Sequence, residues 1–137
     1  MTEDGDRYLL DTSAVLTLIE DEAGADRVQE VLESGHSVFV PWPVLLEATY
    51  ITRQERGEAE AHRRYALLRE LGATILWEVD ETLVLTAARL KAEHRISLAD
   101  AIIASYAVQS RAVLVHKDPE YEPLSDALRL ETLPYKG

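Results

Sequence analysis

The sequence predicts a single α/β domain with a mainly parallel central sheet covered by helices on both faces. Short apolar runs alternate along the chain with longer segments whose apolar residues recur at helical spacing, and strands that alternate with helices pair in parallel and are buried on both sides. A length of 137 residues suffices for one core and is too short for two ordinary domains. A hydrophobic share of 47% with 28% charged residues, five prolines and six glycines leaves no low-complexity stretch.

Arg7 to Leu10 reads as a short apolar strand, and Thr12 to Glu20 as a helix with Val15, Leu16, Leu18 and Ile19 on its apolar side. A second helix, Ala25 to Glu33, buries Val28, Val31 and Leu32 and ends at Ser34-Gly35. Ser37 to Val40 is a strand. Pro41 and Pro43 then lead into a helix that runs to about Arg56, proline being tolerated in a first turn. Gly57 closes that helix, and Glu58 to Leu71 forms another that stops at Gly72. Ala73 to Trp77 is a strand, Glu81 to Glu93 a helix, Ser97 to Gln109 a buried helix and Ala112 to Val115 a strand. Leu128 to Leu133, ended by Pro134, is a last strand at an edge of the sheet. Ligands of such sheets gather at the carboxyl ends of the strands.

A formal charge of −11 argues against broad, non-specific binding to nucleic acid, which basic side chains drive. The charge is uneven. Residues 1–34 carry ten acids against Arg7 and Arg27, whereas Arg53, Arg56, Arg63, Arg64 and Arg69 crowd residues 53–69. Those arginines form either a solvated, ion-paired helix face or a place for a phosphate. The acidic body would attract a basic protein partner. Without cysteine there are no disulfides or thiolate metal sites. Residues 1–6 read as a flexible acidic N-terminus without the features of a signal peptide, and no apolar run approaches the ~18 residues of a membrane span, so a cytoplasmic location away from membranes is expected.

Four acids interrupt apolar segments. Asp11 ends Tyr8-Leu9-Leu10, Glu47 borders the helical stripe Val44-Ala48-Ile51, Asp100 opens the segment from Ala101 to Ala107, and Asp118 follows Ala112 to Val115. Each has a local explanation. Asp11 is a candidate N-cap, with Thr12 and Ser13 as rivals; Glu47 can snorkel from the stripe's edge; Ser97-Leu98-Ala99-Asp100 matches a capping box; and Asp118-Pro119 opens turns. Taken together, two acids follow strands at the end where sites form, and two lie near the starts of helices opening onto that end. Carboxylates taken out of water and brought together need a cation, and a divalent metal held by carboxylates suits phosphate chemistry.

With those four motifs the chain resembles a PIN-domain nuclease, and in its compact length the VapC-type toxins of toxin–antitoxin pairs. The resemblance runs through Leu9-Leu10-Asp11-Thr12-Ser13-Ala14, Leu45-Leu46-Glu47-Ala48, Ser97 to Ala104, and Val113 to Tyr121. It implies one PIN-like domain over residues 1–137 and a Mg²⁺- or Mn²⁺-dependent endoribonuclease. Asp11, Glu47, Asp100 and Asp118 would be catalytic and hold the metal, with Ser13 supporting the first acid. It further implies an RNA substrate, a cognate antitoxin and a homodimer. Arg53 and Arg56, beyond Glu47 on the same helix, are candidates to steer the phosphate backbone. The last motif departs from the family: His116 stands where a small hydroxyl residue is usual and Tyr121 where phenylalanine is common, which leaves Glu120 or Glu122 as alternatives to Asp118.

Other chemistries fit less well. His36, His62, His94 and His116 are scattered without zinc-hydrolase spacing, and no glycine-rich nucleotide loop is present. Trp42 and Trp77 read as core residues rather than base-stacking platforms. Two rivals remain. One is a PIN-like protein-interaction module with a drifted, inactive site, supported by His116 alone. The other is a phosphoacceptor domain using Asp11 and Lys117, for which Leu10 offers no second acid.

Overall fold

The computed structural model describes residues 7–135, and the expected flexibility of residues 1–6 concerns residues outside that range. Five strands form one sheet in the order β3-β2-β1-β4-β5, and every pairing in it is parallel. β1 (Arg7–Leu10) is central, with Leu9 and Leu10 completely buried. β2 (Ser37–Pro41) and β3 (Thr74–Leu76) lie to one side of it, and β4 (Val113–His116) and β5 (Leu130–Thr132) to the other.

The chain first steps from β1 to β2 through α1 (Thr12–Ile19) and α2 (Ala25–Glu33), then to β3 through α3 (Trp42–Arg56) and α4 (Glu58–Arg69). It returns across the sheet to β4 through α5 (Glu81–Glu93) and α6 (Leu98–Ser110). Crossovers between parallel strands are right-handed, so reversing the direction of travel puts α5 and α6 on the face opposite α1 to α4. The reversal also makes the gap between β1 and β4 a topological switch point, where the connections leaving the two strands diverge and open a crevice at their carboxyl ends.

Local chemistry accounts for the boundaries. Asp11 caps α1 by accepting from Ala14 N, Asp80 caps α5 by accepting from Leu83 N, and Ser97 caps α6 by accepting from Asp100 N. Pro43 occupies the first turn of α3. Gly24, which precedes α2 at φ +105°, packs against the chain's end: a Cβ there would lie 3.2 Å from both Leu133 Cβ and Pro134 Cδ.

The predicted elements are present with shifted ends. α4 stops at Arg69 rather than Leu71, and the two edge strands have three residues each. Pro119–Asp126 is a 3₁₀ helix that the sequence pattern did not reveal. Trp42 packs against the core and donates to Tyr106 OH at 2.9 Å. Trp77 is not a core residue: just past edge strand β3 it is 51% exposed, with the Arg69 guanidinium 5.7 Å from its ring. No helix among the described residues is long and apolar enough to cross a membrane.

Candidate active site

The crevice at the switch point is built outward from the end of β1. Asp11 is 2% exposed, and its backbone N–H extends the ladder by donating to the Val115 carbonyl at 3.2 Å. The side chain turns into the first turn of α1, where Oδ1 accepts from Ala14 N at 2.8 Å. The Ser13 hydroxyl donates toward both Asp11 oxygens at 2.7 and 2.8 Å and accepts from Lys117 N at 2.8 Å, joining the end of β1 to the residue after β4. Burial still dominates and pushes the Asp11 carboxyl up to about 7, the hydrogen bonds from Ser13 and Ala14 opposing the shift and the nearby Asp118 adding to it. Asp11 thus caps α1 and also lines the crevice.

Glu47 sits in α3 between the buried Val44 and Ala48. Its Oε1 accepts from the Thr12 hydroxyl at 2.5 Å, so the residue following Asp11 holds the second acid toward the first. Thr12 was legible only as a rival cap, because its partner lies 35 positions away.

Asp100 and Glu120 divide the start of α6 between them. The Ser97 hydroxyl takes Asp100 N at 3.1 Å, as in a capping box, but Ser97 N donates to Glu120 Oε1 at 3.0 Å instead of to Asp100. Asp100 Oδ1 accepts from the Tyr121 hydroxyl at 2.9 Å. Burial pushes Asp100 up to about 8, assisted by its contact with Glu120 and by the charge of Asp118, while the same contact lowers Glu120.

Asp118 accepts from Glu120 N at 2.9 Å and opens the 3₁₀ helix. Its own N–H donates at 3.0 Å to Nδ1 of His116, a fully buried ring whose Nε2 lies 3.2 Å from the Thr132 hydroxyl. Burial lowers the imidazole's affinity for a proton, so His116 is neutral and serves as an acceptor, as a small hydroxyl would.

These residues line one cleft of about 360 Å³ that includes Asp11, Glu47, Asp100, Asp118 and Glu120 together with Thr12 and Ser13. Glu122 is not among them, and its Oε2 accepts from Tyr135 OH at 2.7 Å. A second cleft of about 460 Å³ shares Ser13, Leu16 and Ile51 with the first, and Arg56, Arg64 and Lys117 enter its wall. Each of these cations has an acidic partner: Arg56 and Arg64 meet Glu20, and Lys117 meets Glu22. Arg53 lines neither cleft and pairs with Glu58 at 3.5 Å.

The ionisable groups lining the first cleft are all carboxylates, the donor class of a hard divalent cation rather than of zinc or copper. As placed, no three Asp, Glu, His or Cys side chains among the described residues are already gathered as a finished metal site. That is compatible with Mg²⁺, which takes one or two carboxylates directly and keeps several waters. The raised affinities of Asp11 and Asp100 for a proton are what a cation would reverse.

The sequence profile of the PIN domain matches residues 8–126. No curated protein sequence matches the chain at a significant level. Among solved structures, VapBC2 of Rickettsia felis bound to a promoter DNA fragment is similar with a TM-score of 0.74 at 18% identity, over 93% of this chain and 99% of that one. VapBC-1 of nontypeable Haemophilus influenzae is similar with a TM-score of 0.72 at 22% identity, over 92% and 97%. VapC20 of Mycobacterium tuberculosis, described as a sarcin-ricin loop cleaving toxin, is similar with a TM-score of 0.67 at 16% identity, over 93% and 99%. At these identities the likeness is one of fold.

Proposed function

The chain belongs to the PIN-domain family, and on that premise we propose that it is a metal-dependent endoribonuclease, the toxin of a toxin–antitoxin pair. The observation that carries this reading is the single cleft that Asp11, Glu47, Asp100 and Asp118, drawn from four separate parts of the chain, line together. In this reading those four acids hold Mg²⁺ or Mn²⁺, and Glu120 stands beside them. When bound, the cation supplies a water acidic enough to attack phosphorus and a positive charge for the in-line displacement.

The chain's own groups supply position. Ser13 occupies lone pairs of both Asp11 oxygens and aims that carboxylate from a rigid turn. Thr12 fixes Glu47 in the same way. Arg56, in the wall of the neighbouring cleft, is suited to steer an RNA phosphate once released from Glu20, and Arg53 to meet the strand on the exposed face of α3. An apolar groove of about 500 Å³ runs between α5 and α6, where Val84 is 54% and Leu98 65% exposed. Exposed apolar surface of this kind supports a protein partner, here a second copy of the chain, with the antitoxin covering the acidic cleft.

The rival interaction module drew its support from His116, and a neutral, buried His116 that accepts from Asp118 N lends it none. Nor is the phosphoacceptor reading supported, because Lys117 lies 3.5 Å from Glu22 with its side chain 5% exposed.

Incubation of the purified protein with total RNA tests the proposal. Cleavage is expected in Mg²⁺ or Mn²⁺ and none in excess EDTA; equal cleavage under both conditions excludes the metal mechanism. Expression without a partner is expected to arrest host growth, with relief by the cognate antitoxin. Unaffected growth at confirmed soluble expression excludes the toxin role.

A further inference from the structure

The start of α6 departs from its sequence motif in a way that bears on the site. In a capping box the acid at the third helical position accepts from the cap residue's N–H. Here Glu120, 23 positions further along, accepts from Ser97 N, and the Asp100 carboxylate is thereby released from the backbone. Tyr121, the next residue of the same 3₁₀ helix, takes hold of it through the phenol hydroxyl, 2.9 Å from Oδ1.

Tyr121 is itself immobilised. Its ring is fully buried with its centroid 5.2 Å from that of His116, and His116 is tied to the Asp118 N–H on one side and to Thr132 on the other. The hydroxyl is therefore a donor at a defined point rather than one on a mobile side chain. Phenylalanine would fill the same space without it.

We propose that Tyr121 is a positioning residue of the carboxylate site: its hydroxyl occupies Oδ1 of Asp100 and fixes the carboxylate's orientation for a divalent cation. The proposal rests on the cleft being a cation site. Hydrogen-bond partners of carboxylate and imidazole ligands orient them, and their loss commonly weakens metal binding about 10–100-fold.

Mn²⁺ titration, with the free ion counted by its electron paramagnetic resonance signal, tests it on the full chain. Tyr121→Phe is expected to bind Mn²⁺ about tenfold more weakly or worse, while a cooperative melt in EDTA shows that it is folded. A merely structural tyrosine would move the melt and leave the isotherm alone, so an unchanged isotherm overturns the proposal. Asp11→Asn and Asp100→Asn separate the two levels of argument. If both bind Mn²⁺ like the parent, the cation-site reading itself fails; if both lose the ion while Tyr121→Phe keeps it, only the role of Tyr121 fails. Should Tyr121→Phe not fold, the unaltered protein answers instead. The ¹³Cζ resonance of Tyr121 is expected to shift as Mg²⁺ is added, and a resonance that stays fixed at metal saturation overturns the proposal.

Discussion

Asp11 keeps its proton up to about pH 7 because burial outweighs the hydrogen bonds that favour its charge, and Asp100 does so up to about pH 8. In the unfolded chain both lose that proton near pH ~4. Between these limits the folded state binds more protons than the unfolded one, so the metal-free protein is expected to lose stability as pH rises from about 4 toward 8. Metal binding runs the opposite way, since it needs the ionised carboxylates: Mg²⁺ should bind more tightly at about pH 8 than at about pH 6, with protons released on binding. Calorimetry in two buffers of different ionisation enthalpy measures both. An affinity independent of pH would contradict the assignment of Asp11 and Asp100 as the titrating ligands. Asp11→Asn and Glu47→Gln should abolish RNA cleavage in folded protein, and normal rates in either remove that residue from the site. Ser13→Ala leaves Lys117 N and both Asp11 oxygens without their shared hydroxyl, at a cost of about 1–3 kcal/mol in denaturant melts. At this scale the acids were legible because each breaks an apolar run. Their hydrogen-bond partners were not: Thr12 with Glu47, and Ser97 with Glu120, meet only through the fold.

Helices and the central strands could be read from periodicity and glycine or proline punctuation, because their cores follow local rules: Gly57 at φ +93° ends α3 and begins α4. The edge strands were overestimated, since strand length there is decided by a neighbour, and β3 pairs with β2 only from Thr74 to Leu76. The 3₁₀ helix Pro119–Asp126 escaped detection for a different reason. It has Pro119 at its start, Pro123 inside and no 3.6-residue apolar period, so nothing in the pattern distinguishes it from a loop. The start of α6 offers a test at this scale. Ser97→Ala removes the hydroxyl that accepts from Asp100 N and should cost about 1 kcal/mol with or without Mg²⁺. Above about pH 8, where Asp100 is ionised, Asp100→Asn removes a crowded charge that does not complete the capping box, so the metal-free variant should there be at least as stable as the parent. A variant less stable than the parent in both EDTA and Mg²⁺, with an equal response to metal, would return Asp100 to a capping role.

For the molecule as a whole, a cation that binds only the folded state adds about 2.7 kcal/mol of stability at a hundredfold excess over its dissociation constant. Mg²⁺ should therefore raise the melting temperature of the parent and raise that of Asp100→Asn clearly less. The exposed groove between α5 and α6 predicts self-association, and sedimentation should find a dimer that Val84→Glu combined with Leu98→Glu converts to monomer. A monomeric parent at high concentration would rule out that use of the groove.

The central position of β1 also sets when the cleft can exist. Leu10 registers with Val115, so the two walls of the crevice come from stretches far apart in the sequence. While a ribosome is still short of Val113, Asp11 and Glu47 have been made but β1 has an open edge, and Asp118 does not yet exist. A nascent chain at that stage lacks the four-acid cleft. The cleft is complete only once β4 lies beside β1 and Asp118 and Glu120 stand with Asp100.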